Sequence, residues 1–266
     1  MVNNNKTKYK PLVPAVEQSC RVLLCLTKGD KFHKTLTDIY QDVGISKSKA
    51  FTILNTLIKF NLVEKHAQTK TYSVGPGLIA LSRYFLDNLS YTEIVSPYIE
   101  ELARATTGTA LFGIITGEHV FVIAKHEEHE VIGLTIRVGH RFHITIGSIG
   151  KCIVPFLPKT TRDRILASKK LYFYGNTSPL DRNRLQNEFD KCKQKGYSVD
   201  IGEVTPGINF TSAPVFNSND EITGCVILLG TFPASLIEDY GLKTASIGRQ
   251  ISHRLGASLK NMFNDQ

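Results

Sequence analysis

Hydroxyl and ammonium groups crowd one short stretch in the first quarter of the chain: Ser46, Lys47, Ser48, Lys49 and Thr52. Lysine ammoniums neutralise phosphates, and small hydroxyls come close to phosphates or base edges. A second basic group follows, with Lys65 and Lys70 around His66, Gln68 and Thr69. Elsewhere the reactive residue types do not assemble. Gly147-Ser148-Ile149-Gly150-Lys151 lacks the first glycine and the hydroxyl after lysine that a phosphate-binding P-loop needs. There is no Gly-x-Ser-x-Gly nucleophile elbow. His126-Glu127-Glu128-His129 does not have HExxH spacing and reads as a solvated turn. His140 and His143 fall in another connection, so no metal is expected. Asp200 and Glu203 are neighbouring carboxylates with no nucleophile beside them, and no acid–base pair is expected. The cysteines at 20, 25, 152, 192 and 225 form no CxxC pair. That pattern points to reduced thiols, with Cys152 and Cys225 as packing residues.

Local patterning predicts the elements that hold these groups. Val16, Cys20, Val22, Leu23 and Leu26 fit one face of a helix. A second helix is expected from Lys34 to Asp42, ended by Gly44, which takes a left-handed conformation without penalty. Ser46 is an N-cap for a third helix to about Phe60, with Phe51, Leu54 and Leu57 packing it onto the first two. Leu62–His66 and Thr71–Val74 read as strands joined by a turn at Ala67–Lys70. Helix, helix, turn, helix, hairpin is a winged helix-turn-helix, in which the third helix enters the major groove and its first residues meet base edges. Leu78–Asn88 reads as a linker helix. Beyond it the pattern alternates between helices and strands: helices at Thr92–Thr106, Thr161–Ser168, Asp181–Lys195 and from Pro233, another opening at Gly147, and strands at Ala110–Ile115, Val120–His126, Val131–Ile136, Tyr197–Ile201, Phe210–Phe216 and Ile222–Gly230. The fold class is α+β, with domains at 1–75 (DNA-binding), 76–90 (linker helix) and 91–266 (sensor and oligomerisation).

Charge supports that division. Residues 1–75 carry 12 Lys and Arg against 5 Asp and Glu, whereas the remainder carries 20 against 19. Nearly all of the net +8 therefore sits in the first quarter, a split that by itself suits a contact with a polyanion or a solubilising basic N-terminus equally. Hydrophobic residues at 42% suffice for a core, and no apolar run nears the roughly 18 residues of a membrane span. A cytoplasmic protein with no membrane partner and no cofactor is expected.

In order and spacing, these segments resemble the IclR family of transcriptional regulators over roughly Val13 to Ala257. The resemblance is carried by Val13-Pro14-Ala15-Val16-Glu17 with Val22-Leu23, by Gly44-Ile45-Ser46-Lys47-Ser48-Lys49 before Leu54-Asn55-Thr56-Leu57, and by Tyr72-Ser73-Val74-Gly75. It continues in Gly147–Lys151, in Gly196-Tyr197-Ser198-Val199-Asp200, and in Glu203, Gly207-Ile208 and Ala213-Pro214-Val215. It implies a GAF-like C-terminal domain, a homodimer or homotetramer on a double-stranded DNA operator, and a small organic effector.

The resemblance also implies a pocket. Val131 and Leu134 would form one wall. Ser148 and Ile149 would offer N–H groups at a helix start. Asp200 would be the acidic group, with Glu203 structural, and Ile208, Phe210, Ile227 and Leu229 would complete the lining. Two departures stand out. Ile227 and Leu229 occupy positions where relatives that bind small keto acids have serines, and Phe210 replaces a cysteine found in several. Both remove polar partners, so a ligand largely aliphatic or aromatic with one polar end is expected. Thr52 stands where many members have arginine, so a known operator does not transfer. An oligomeric DNA-binding protein without an effector, or an enzyme with a DNA-binding appendage, are the alternatives.

Overall fold

The computed structural model describes residues 13–28, 33–88, 91–106, 108–127, 136–175, 180–260 and 263. The chain divides into two compact units, Met1–Leu89 and Ser90–Gln266.

In the first unit, α1 (Pro14–Leu26) opens on a proline, whose missing N–H costs nothing in a first helical turn. It buries Val22, Cys25 and Leu26. The expected second helix starts later than its apolar pattern suggests. Lys34–Thr35 is a strand, β1, and only Leu36–Val43 is helical, α2. Thr35 and Asp38 form a capping box that places the first turn after Thr35. Gly44 closes α2 at φ 71°, and Ser46 caps α3 (Lys47–Lys59) by accepting from the Lys49 N–H at 3.3 Å. β2 (Val63–His66) and β3 (Thr71–Val74) form the wing, and β1 pairs with the free edge of β3. Leu54 and Leu57 of α3 share a core with Val22, Leu26, Ile39, Val43, Val63 and Tyr72. Phe51 does not join it: the ring is 46% exposed, which corrects its expected packing role. α4 (Gly77–Asn88) follows.

The second unit is a six-stranded sheet in the order β6-β5-β4-β9-β8-β7, antiparallel throughout. Its strands are β4 (Thr109–Thr116), β5 (His119–Glu127), β6 (Arg141–His143), β7 (Ser198–Ile201), β8 (Asn209–Phe216) and β9 (Ile222–Gly230). Its helices are α5 (Tyr91–Arg104), α6 (Gly147–Ile153), α7 (Lys159–Leu166), α8 (Arg182–Lys195) and α9 (Ile237–Arg254). Side chains alternate across the sheet as strand geometry requires. Phe210, Cys225, Ile227 and Leu229 cluster with Ile149, Cys152 and Ile153 of α6. Their neighbours Thr211 and Ala213 meet Thr244 and Gly248 of α9 on the other face.

Four expectations change in this unit. His143 lies in β6, directly opposite His119, and not in a connection. His126 lies in β5, which runs on to Glu127, and not in a turn, while His129 lies outside the described residues. Of the strand expected at Val131–Ile136, only Ile136 is described, buried and not in a strand. α9 begins at Ile237, after a short 3-10 turn, and not at Pro233. No described helix is long and apolar enough to cross a membrane.

Candidate nucleic-acid interface and effector site

The basic residues singled out in the first unit are all on the surface. Ser46, Lys47, Ser48, Lys49 and Thr52 are exposed along the first half of α3, and Lys65 and Lys70 are exposed on the wing. The cap puts the first turn of α3 in place, and its buried stripe (Ala50, Leu54, Leu57) turns these groups outward. Two of the hydroxyls are committed to the helix itself: Ser46 Oγ accepts from Lys49, and Thr52 Oγ1 donates to the Ser48 carbonyl at 3.0 Å. Lys70 turns the wing with φ 55°.

In the second unit, the candidate residues gather around the start of α6. Gly147 has φ 44°, and a Cβ there would come within 2.5 Å of Asp200 Oδ2, so only glycine lets this carboxylate lie against the helix start. Asp200 is 1% exposed. Its Oδ1 accepts from the N–H groups of Glu203 (2.8 Å) and Val204 (3.4 Å). Burial pushes its carboxyl above the ordinary value, against these donors and the nearby Lys151.

Ile149, Phe210, Ile227 and Leu229 lie in one buried apolar cluster, with Ile208 packed at its edge. Ser148 adds a structural contact to its expected place at the helix start. Its hydroxyl bonds to Ser212 Oγ at 2.8 Å and its carbonyl accepts from Ser198 Oγ at 2.6 Å, so the side chain ties α6 to β8. Its N–H and that of Ile149 remain in the first turn, where helices lack internal acceptors. Val131 and Leu134 lie outside the described residues.

Sequence reasoning missed the charge network behind this site. Lys151, 1% exposed on α6, bridges Glu203 (3.0 Å) and Glu188 (3.1 Å) and lies over the Tyr174 ring. Arg184 pairs with both carboxylates and stacks on the same ring, and Tyr174 Oη donates to Glu188 at 3.0 Å. Burial alone would raise the Glu203 carboxyl, but Arg184 and Lys151 hold it below its ordinary value. The spacing of Arg184 and Glu188 along one helix was the available clue.

The remaining groups offer little chemistry. Burial pushes the Cys152 and Cys192 thiols far up, which keeps them protonated. Among the described residues, no three His, Cys, Asp or Glu side chains are placed to hold a metal ion.

Comparison with known proteins bears on the family and the fold. The family described as bacterial transcriptional regulator IclR C-terminal matches residues 84–240, and the IclR helix-turn-helix domain matches residues 15–67. The HTH-type transcriptional regulator RhmR of Escherichia coli is 26% identical over 92% of this chain and 94% of its own length. BhcR of Paracoccus denitrificans is 26% identical over 74% of this chain and 70% of its own. An IclR transcriptional regulator from Alicyclobacillus acidocaldarius superimposes with a TM-score of 0.78 at 24% identity, covering 93% of this chain and 98% of that one. An IclR homolog from Microbacterium hydrocarbonoxydans, solved with 4-hydroxybenzoate, superimposes with a TM-score of 0.76 at 16% identity, covering 91% and 98%. With its helix-turn-helix unit and its α/β second unit, the chain belongs to the IclR family of DNA-binding transcriptional regulators.

Proposed function

We propose that this regulator contacts its operator through Ser46, Lys47, Ser48, Lys49 and Thr52 on α3 and through Lys65 and Lys70 on the wing. We propose further that a small organic effector held in the second unit sets operator affinity. The protein works in the cytoplasm as a homodimer or homotetramer, and residues 76–90 form the linker between its DNA-binding domain (1–75) and its sensor (91–266).

One observation carries the effector reading: Asp200, buried against Gly147, faces the end of α6 whose next residue-but-one, Ile149, packs with Phe210, Ile227 and Leu229. An apolar cluster beside a single buried carboxylate suits a ligand with a ring or chain and one hydrogen-bond donor, such as a hydroxyl. The Microbacterium hydrocarbonoxydans homolog holds 4-hydroxybenzoate, an aromatic ring with a hydroxyl at one end and a carboxylate at the other, which supports an aromatic ligand with polar ends. Binding would shift the population of oligomer geometries, and with it the spacing of the two α3 helices on DNA.

The test is a gel shift on DNA selected by the protein, run across a salt series, with and without hydroxylated aromatic compounds. Lys47→Ala and Lys49→Ala should each lower the salt slope by about one unit if the residue meets a phosphate. Asp200→Asn keeps the Oδ1 acceptor of the 200–204 turn but removes the charge. It should abolish the effector response and leave operator affinity intact. A wild-type slope in both lysine variants would exclude α3 as the DNA contact. An undiminished response in Asp200→Asn would exclude Asp200 as the effector's partner.

A further inference from the structure

We infer that Phe51 reads the C5-methyl group of a thymine in the operator's major groove. The inference rests on the reading that α3 enters that groove, and it gives a specificity role to a residue whose apolar character suggested core packing. Helix geometry sets the starting point. Ala50, Leu54 and Leu57 define the buried stripe of α3. At about 100° per residue, Phe51 points off that stripe, on the side shared with Ser48, Thr52 and Asn55.

Single exposed apolar side chains are common and mean little alone. Here the position and the neighbours add meaning. Phe51 sits in the N-terminal half of the helix, the part that faces base edges in such domains. Lys47, exposed one turn before it, and Lys49, exposed two residues before it toward the other side of the helix, are placed to fix the helix on phosphates. Three hydroxyls of the helix, Thr52 among them on the ring's side, are turned back on the backbone. Thr52 Oγ1 donates to the Ser48 carbonyl and Thr56 Oγ1 to the Thr52 carbonyl, each at 3.0 Å. Ser46 Oγ is engaged by the Lys49 N–H. Among the exposed residues from 46 to 52, Phe51 is the large apolar one, and it stands clear of the core at 46% exposure.

The base that offers an apolar partner in the major groove is thymine, whose C5-methyl group projects there, where cytosine has only hydrogen. Covering one methyl group with the phenyl ring favours thymine over uracil by about fourfold in affinity.

The experiment uses the full-length protein and a duplex it selects from a randomised pool. Each thymine is replaced singly by uracil, which deletes the methyl group and keeps the base pair. Wild type should lose about fourfold at one thymine of each half-site. Phe51→Ala should lose nothing at that thymine, and Phe51→Leu should retain part of the discrimination. Melting of Phe51→Ala, followed by circular dichroism, should match wild type because the ring is not in the core.

The inference is overturned if wild type is indifferent to every replacement, if Phe51→Ala loses as much as wild type, or if the selected duplex contains no thymine. Failure of the underlying reading looks different. In that case Lys47→Ala and Lys49→Ala keep the wild-type salt slope. A reduced slope with no coupling between Phe51 and a methyl group rejects the Phe51 assignment alone.

Discussion

Replacing Lys151 with methionine keeps an unbranched side chain one heavy atom shorter and deletes a buried charge. In the native structure its ammonium lies 3.0 Å from Glu203 Oε2, 3.1 Å from Glu188 Oε2 and 3.4 Å from the Val199 carbonyl, with the Tyr174 ring 4.6 Å away. Stranding a buried charge by removing its partner costs about 3–5 kcal/mol. Neither carboxylate is fully stranded here, because Arg184 pairs with both and Tyr174 donates to Glu188. Both also keep about a quarter of their side-chain surface in water. Relief of the lysine's own desolvation offsets a further part, so a loss of about 2 kcal/mol is expected. Glu203→Gln should cost a similar amount by leaving Lys151 with Glu188 alone. Because the two variants disrupt one network, the double variant should fall short of the sum by about 1 kcal/mol or more. The chain has no tryptophan, so urea unfolding is best followed by circular dichroism, with the transition of the second unit fitted separately. A Lys151→Met loss below about 0.5 kcal/mol, or strict additivity with Glu203→Gln, would refute the network as a stabilising unit.

Mild acid should destabilise the second unit. Burial lowers the His143 imidazole below its ordinary value, and burial followed by the charges of Arg141 and His143 lowers that of His119. A depressed histidine binds its proton more weakly in the folded chain than in the unfolded one. Stability is therefore held above about pH 6.5 and falls as the pH drops below it. His143 Nδ1 accepts the Thr145 N–H at 3.3 Å, a bond that a protonated ring cannot make. Melting at pH 7.5 and 5.5 should show the drop, and His143→Gln should reduce it; an equal drop in that variant would remove His143 from the explanation. Gly241→Ala should destabilise the packing of α9, since its new Cβ would stand 2.1 Å from the Tyr197 ring. Overpacking of this kind costs about 1–3 kcal/mol, and an unchanged melting temperature would show that the ring moves aside freely.

Sequence alone determined the parts whose causes are local. Gly44 and Ser46 mark the turn before α3 because a left-handed glycine and a hydroxyl cap act within one helical turn. Alternation announced the wing and most strands of the sheet, and the charge split marked the DNA-binding quarter. Tertiary structure decided what depends on distant partners. Lys34 and Thr35 are a strand because Tyr72 and Thr71 stand beside them. His143 is in a strand because β5 offers an edge. Phe51 faces outward because Ala50, Leu54 and Leu57 already complete the buried stripe of α3. Ser148 bonds Ser212 and Lys151 bonds Glu203 across 64 and 52 residues, and no local pattern encodes such a meeting. Periodicity fixes the face of a helix or strand; the partner packed against that face is chosen only when the whole core assembles.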